Sequence, residues 1–152
     1  MSIASRLTEL GVTLPDASAP AGNYVPYVIV GDMVYISGQI SVGPTGPIVG
    51  KLGADVDVEG GAKAAKACAL SLIAQLKAAC DGDLDRVVKV VKLGGFVNST
   101  PEFDQQPAVI NGASDFMVAV FGEAGRHARA AVSAASLPFG VAVEIEGTFQ
   151  IK

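Results

Sequence analysis

The chain has 152 residues, half of them apolar and only 17% charged, with a mean hydropathy of +0.44 and a formal net charge of -4. That length fits one domain able to bury roughly two-thirds of its unfolded surface, and a pI near 4.8 excludes general attraction to nucleic-acid phosphates. So oily a composition implies that some surface is covered by another subunit, because no stretch of about 20 apolar residues is free enough of charge, Gly and Pro to span a membrane.

In chain order, Ser2 to Leu10 reads as a short amphipathic helix closed by Gly11, and Leu14 to Ala21 as a Pro-containing connector. Residues 1–20 are therefore an appendage to a single domain over 21–152. The opening, MSIASRLTELG, carries Arg6 and Glu9 and lacks an apolar core, unlike a secretory signal, so a cytoplasmic protein is expected. Val25 to Val30 and Met33 to Ser37 are β-rich runs around Gly31-Asp32, the pattern of a tight hairpin. Ser41 to Gly53 holds too many Gly and Pro residues for a helix and is expected to make a second turn with a short strand near Ile48. Val58 to Ala79 reads as a long helix, with Ala65, Cys68, Leu72, Leu76 and Ala79 inward and Lys63, Lys66 and Lys77 mostly opposite. Val87 to Val97 is a strand with apolar residues on both sides, which predicts cover on both faces. Pro107 starts a second long helix through Phe121, stopped by Gly122. Strand pairs alternating with two helices predict an α+β domain, two long helices on one face of a mixed sheet.

Several motifs carry no chemistry. Cys68 and Cys80 lie about 18 Å apart along one helix and cannot pair within it, and two cysteines with one histidine make no zinc pattern. Asp81, Asp83 and Asp85 have calcium-loop spacing, but Arg86 takes the glycine position and Lys92 the place of the closing Glu; they read as turn and capping carboxylates. Gly46 to Leu52 is one residue short of a phosphate loop and ends in Leu52 where Ser or Thr belongs. No metal site is expected. His127 has no serine or cysteine nucleophile with a base near it in sequence and reads as a structural or rim residue.

The C-terminal run HARAAVSAASLPFGVAVEIEGTFQI is different. Val141, Val143, Ile145, Phe149 and Ile151 form one buried strand face, which puts Glu144 and Glu146 together on the other. Arg129 sits in a small-residue, apolar stretch, where a guanidinium is costly unless an anion meets it. Arg129 and Glu144 are thus the first candidates for a site. The alternatives are an intersubunit salt bridge for Arg129, with Glu144 itself as a candidate partner, and an edge-of-sheet charge for Glu144.

These residues resemble the RidA (YjgF) group of imine deaminases. Its C-terminal pattern stands here as Ala128-Arg129-Ala130-Ala131-Val132, then Leu137-Pro138, then Ala142-Val143-Glu144-Ile145-Glu146. Gly22-Asn23-Tyr24 through Gly31-Asp32-Met33-Val34-Tyr35-Ile36-Ser37-Gly38-Gln39-Ile40 is similar to the family's N-terminal hairpin, and with Val87 to Val97 and Asn111 the match runs from about Ala21 to Phe149. The resemblance implies a chorismate-mutase-like homotrimer with inward-facing sheets and intersubunit clefts. It also implies hydrolysis of small 2-imino or enamine acids to 2-oxo acids and ammonia, with no metal or organic cofactor, while the charge and hydropathy read above lead us to expect no nucleic acid and no membrane as partners. Arg129 would clamp the substrate carboxylate through its planar fork, and Glu144 would hold or activate water. The Ala131 N–H would donate to the ligand, Tyr24 would close one side of the cleft, and Asn111 would be a further contact. Departures are Ala131 where many members carry Cys, Ala130 for a common Ser, and Asn23-Tyr24-Val25-Pro26 for G-P-Y-S-Q. A non-catalytic trimer that binds small carboxylates or regulates a partner is the alternative. RNA cleavage is disfavoured by the acidic charge and the missing His constellation.

Overall fold

The structure is a computed structural model and describes residues 1–152. Helix α1 (Ile3–Glu9) begins where the Ser2 hydroxyl accepts from the Ser5 N–H at 3.0 Å and gives way to Gly11 at φ 70. It docks through buried Leu7, an Ile3 N–H to Asp85 bond of 2.8 Å and an Arg6 bond to the Ala119 carbonyl. Strands β1 (Tyr27–Val30) and β2 (Met33–Ile40) form the expected hairpin, with Gly31 at φ 63 in the first central position of the two-residue turn. The Gly/Pro stretch becomes a minimal hairpin, β3 (Val42–Gly43) with β4 (Gly46–Pro47). The short strand thus ends just before Ile48, whose carbonyl accepts from Ala142 N–H and from Ser41 Oγ.

Helix α2 (Val58–Ala79), capped by Asp57, has the expected bounds and buries the expected stripe. Strand β5 (Val87–Asn98) leads through an irregular loop to α3 (Gln106–Phe121), which has Pro in its first turn and stops at Gly122 with φ 63. Strands β6 (Ala128–Ala134) and β7 (Val143–Ile151) complete a five-stranded sheet ordered β1-β2-β7-β5-β6. Every pairing is antiparallel except β5 with β6, which α3 joins as a crossover. Both long helices cover one face, α2 over β7 and β2, α3 over β5 and β6. The fold is the expected α+β one, a mixed sheet with two long helices on one face. No helix is long and apolar enough to cross a membrane.

The sheet's other face is covered by no element of this chain. On β5 only the side carrying Val90, Leu93 and Val97 is fully buried, while Val88 is 41% exposed. The cover expected on both faces of this strand is thus present on one. Val28, Val30, Tyr35 and Val132 are likewise 45–63% exposed. An apolar sheet face left open in one copy is a surface for association.

The helices meet through glycine. A Cβ on Gly112 of α3 would collide with the Ala62 carbonyl oxygen of α2 and lie 2.7 Å from its carbon. The obstacle is backbone, so the helices would have to separate. Gly112→Ala is expected to destabilise the fold by about 1–3 kcal/mol despite its better helix propensity, read as a lowered midpoint in urea unfolding.

Candidate functional site

The lone arginine of the C-terminal run sits on the edge strand. Register pairs Leu93 of β5 with Gly147 of β7 on one side and Arg129 of β6 on the other, and Leu93 is fully buried under the helices. Arg129 therefore points to the helix side of the sheet, as do Ala131 and Ser133 at alternate positions. Its Nη1 donates to Ser114 Oγ at 3.1 Å and its Nη2 to the Pro107 carbonyl at 3.4 Å, both on α3. No carboxylate lies within ion-pair distance of it. Two of its five N–H groups are engaged and three are left for an anion. Asn111 is exposed on the same stripe of α3, between Pro107 and Ser114. The structure thus gathers Arg129, Ala131 and Asn111 at the β6–α3 edge. Ser114 is a member that sequence reasoning missed; its only sign was its place three residues after Asn111 on a helix face.

Glu144 belongs to the other side. Val143 and Ile145 are fully buried, so the pleat turns Glu144 onto the helix-free face, in register with Ile40 and Phe96. It has neither an ion-pair nor a hydrogen-bond partner within the chain. Its carboxylate lies over Gly38, where any Cβ would strike Oε2 and come within 3.1 Å of Cδ. A register shift between Ile36 and Gln39 places this glycine there. Partial burial, and then the neighbouring charge of Glu146, hold the Glu144 pKa above the usual carboxylate range. Tyr24 is 54% exposed in the loop before β1, and that loop is tied to the same bulge by Ser37, which donates to the Val25 carbonyl at 2.8 Å. Glu144, Gly38 and the Tyr24 loop thus form a second cluster.

Within one copy, then, Arg129 and Glu144 stand on opposite faces of the sheet, and no salt bridge joins them. The two clusters can meet only if an edge of one copy approaches the bare face of another. A groove of about 680 Å³ beside the start of α2 is lined by Gly53, Asp55, Phe103 and Gln105 among others, and by none of the candidate residues. No group of His, Cys, Asp and Glu side chains is arranged to hold a metal ion. Cys68 is fully buried beneath β7, its pKa pushed up by burial and then by the charge of Glu144, so it is no nucleophile.

The raised pKa of Glu144 has a thermodynamic sign. Folding disfavours its ionised form, so its destabilising contribution is absent below the unfolded carboxylate pKa of about 4.3 and complete above the folded value. Glu144→Gln should therefore raise the melting temperature at neutral pH and lose that advantage as pH falls toward 4, about the unfolded value, measured by thermal unfolding across pH.

Comparison with known proteins agrees with this architecture. Residues 4–145 match the family described as "YjgF/chorismate mutase-like, putative endoribonuclease". Protein TCP17 of Trypanosoma cruzi is 51% identical over 151 residues, covering 98% of this chain and 94% of TCP17. The crystal structure of Atu1372 from Agrobacterium tumefaciens, a protein of unknown function, superposes with a TM-score of 0.91 at 50% identity, over 99% of this chain and 92% of that one. TdcF of E. coli, solved with bound serine, gives 0.61 at 26% identity over 90% of this chain and 94% of that one. With its mixed sheet, its two-helix layer and a match across nearly its whole length, the chain belongs to the YjgF (RidA) family, in a branch that diverges from TdcF.

Proposed function

We propose that the protein hydrolyses small 2-imino or enamine acids to 2-oxo acids and ammonia, in clefts between the subunits of a homotrimer. The observation that carries this reading is the Glu144 carboxylate, unpaired, with a raised pKa, and set over Gly38 on a face that the chain itself leaves bare. A group held in this way suits proton transfer near neutral pH better than an ordinary surface carboxylate does. Arg129, with three N–H groups unengaged at the sheet edge, supplies the complementary charge for a carboxylate. Bound serine in TdcF, an amino acid with a carboxylate of its own, supports the same ligand class.

In this reading the edge of one subunit presents Arg129, the Ala131 N–H and Asn111, and the face of its neighbour presents Glu144 and Tyr24. Arg129 grips the substrate carboxylate at two points and fixes the imine carbon. Glu144 takes a proton from water as the water oxygen adds to that carbon and passes it to the imine nitrogen, giving a neutral carbinolamine. It then takes the hydroxyl proton of that intermediate and delivers it to the amino nitrogen as the C–N bond breaks, so that ammonia leaves and the carbonyl forms. Water supplies the oxygen and both protons needed for balance, and no redox step occurs. Because an imine is already electrophilic, positioning and one proton relay suffice without a metal or organic cofactor. Endoribonuclease chemistry, named in the family description, gains no support from a net charge of -4 and a single histidine.

Light scattering at micromolar concentration should give a mass near three times 15.4 kDa; a stable monomer would leave the two clusters apart and overturn the reading. Ammonia release from freshly generated iminopropanoate and iminobutanoate tests the chemistry. Arg129→Ala should cost about 2–5 kcal/mol in binding of a 2-oxo acid, and Arg129→Lys less but clearly, since an ammonium lacks the planar fork. Glu144→Gln should lower turnover by roughly 10² to 10⁴ with little change in that binding. A wild type that binds 2-oxo acids yet releases no ammonia would make the protein a carboxylate-binding or regulatory trimer instead.

A further inference from the structure

The sole histidine lies in the hydrogen-bonded surroundings of the arginine. We propose that Ser114 and His127 are positioning residues, which orient the Arg129 guanidinium for the anion it receives through a one-way chain of hydrogen bonds anchored on the Gly125 carbonyl. The proposal rests on the carboxylate-clamp reading of Arg129 and extends it to two residues that touch no ligand.

The direction of the chain follows from donor and acceptor chemistry. His127 Nδ1 lies 2.6 Å from the Gly125 carbonyl oxygen, which can only accept, so Nδ1 carries a hydrogen. In the neutral ring Nε2 then bears a lone pair, and it lies 2.9 Å from Ser114 Oγ. The serine hydroxyl therefore donates to His127, which turns its own lone pairs toward the Nη1 donor of Arg129 at 3.1 Å. Each link thus runs in one direction, and the link to Arg129 is strengthened by the charge of the guanidinium.

The anchor is rigid. Gly125 is buried against the end of α3, where a Cβ would collide with the Met117 carbonyl oxygen and lie 2.7 Å from its carbon. Its carbonyl is thus held by close backbone packing. His127 immediately precedes β6 and lies two residues before Arg129, and Ser114 reaches both from α3. With the Pro107 carbonyl as a second hold, the guanidinium is fixed to one helix at two points. An arginine held in this way loses less side-chain freedom when an anion arrives. If the histidine did no more than cap the turn at Gly125, it would need no link to Arg129.

The test reads the arginine first without ligand. The Arg129 side-chain ¹H–¹⁵N resonance, assigned by its loss in Arg129→Lys, should be slow-exchanging and distinct in the wild type and should broaden or collapse toward the free-arginine position in Ser114→Ala. Calorimetry with 2-oxobutanoate should then show affinity about tenfold weaker in Ser114→Ala, a smaller loss in His127→Gln, and recovery in Ser114→Thr, which restores the hydroxyl. In the imine assay the same loss should fall on KM with kcat nearly unchanged. An unaltered Arg129 resonance in Ser114→Ala, or unaltered affinity in a folded variant, would overturn the proposal, as would loss of kcat alone. A wild type that shows the held resonance but no affinity for 2-oxobutanoate would overturn the carboxylate reading of the site, while release of that resonance in Ser114→Ala would still establish the brace. If Ser114→Ala fails to fold, the Ser114→Thr and His127→Gln pair gives the same comparison.

Discussion

One-sided burial of β7 is the constraint on which the rest depends. This strand lies between β2 and β5, and its inward residues Val143, Ile145 and Phe149 have no solvent exposure. Because strand side chains alternate, burying that set obliges Glu144 and Glu146 to share the opposite face. A slip of one residue would drive both carboxylates under the helices and expose the core set, so the register is strongly specified. Two neighbours accommodate the result without side chains of their own. Gly38 leaves room for Glu144, and Gly94, whose Cβ would lie 3.0 Å from Cγ of Glu146, leaves room for the second glutamate.

The edge strand β6 solves a different problem. Its parallel pairing requires a crossover, and α3 provides it while packing over β5 and β6. That packing brings a helix stripe of Pro107, Asn111 and Ser114 beside the strand that carries Arg129. The guanidinium is partly covered and held by neutral oxygens, so its charge stays uncompensated within the chain. Glu144 has the mirror-image condition, a partly buried carboxylate without a cation. Two unmatched charges on opposite faces are costly in isolation, because each is drawn partly out of water without a counter-charge in the chain.

Much of this architecture was legible in the chain. The α2 bounds followed from an apolar stripe, the β1–β2 turn from Gly31-Asp32, and the end of α3 from Gly122, because each depends on local periodicity or on backbone freedom at a single residue. The short strand placed near Ile48 came out as a minimal hairpin ending at Pro47, since Gly and Pro blur strand ends while the distant Ala142 and Ser41 decide the bonding. Cover on both faces of Val87 to Val97 was inferred from apolar residues on both sides, but the chain supplies helices for only one face. Whether a subunit supplies the other is a property of assembly.

Sequence by itself determined the α+β order of elements, the two glutamates on one strand face and the isolation of Arg129 among small residues, because alternation and helical period act over a few neighbours. Tertiary structure alone decided that Arg129 and Glu144 face opposite ways, that Gly38 lies beneath the Glu144 carboxylate, and that Ser114 and His127 meet at Arg129. Those relations join residues 13 to 106 positions apart, and they are set by which strands pair and in what register, information that no local pattern carries.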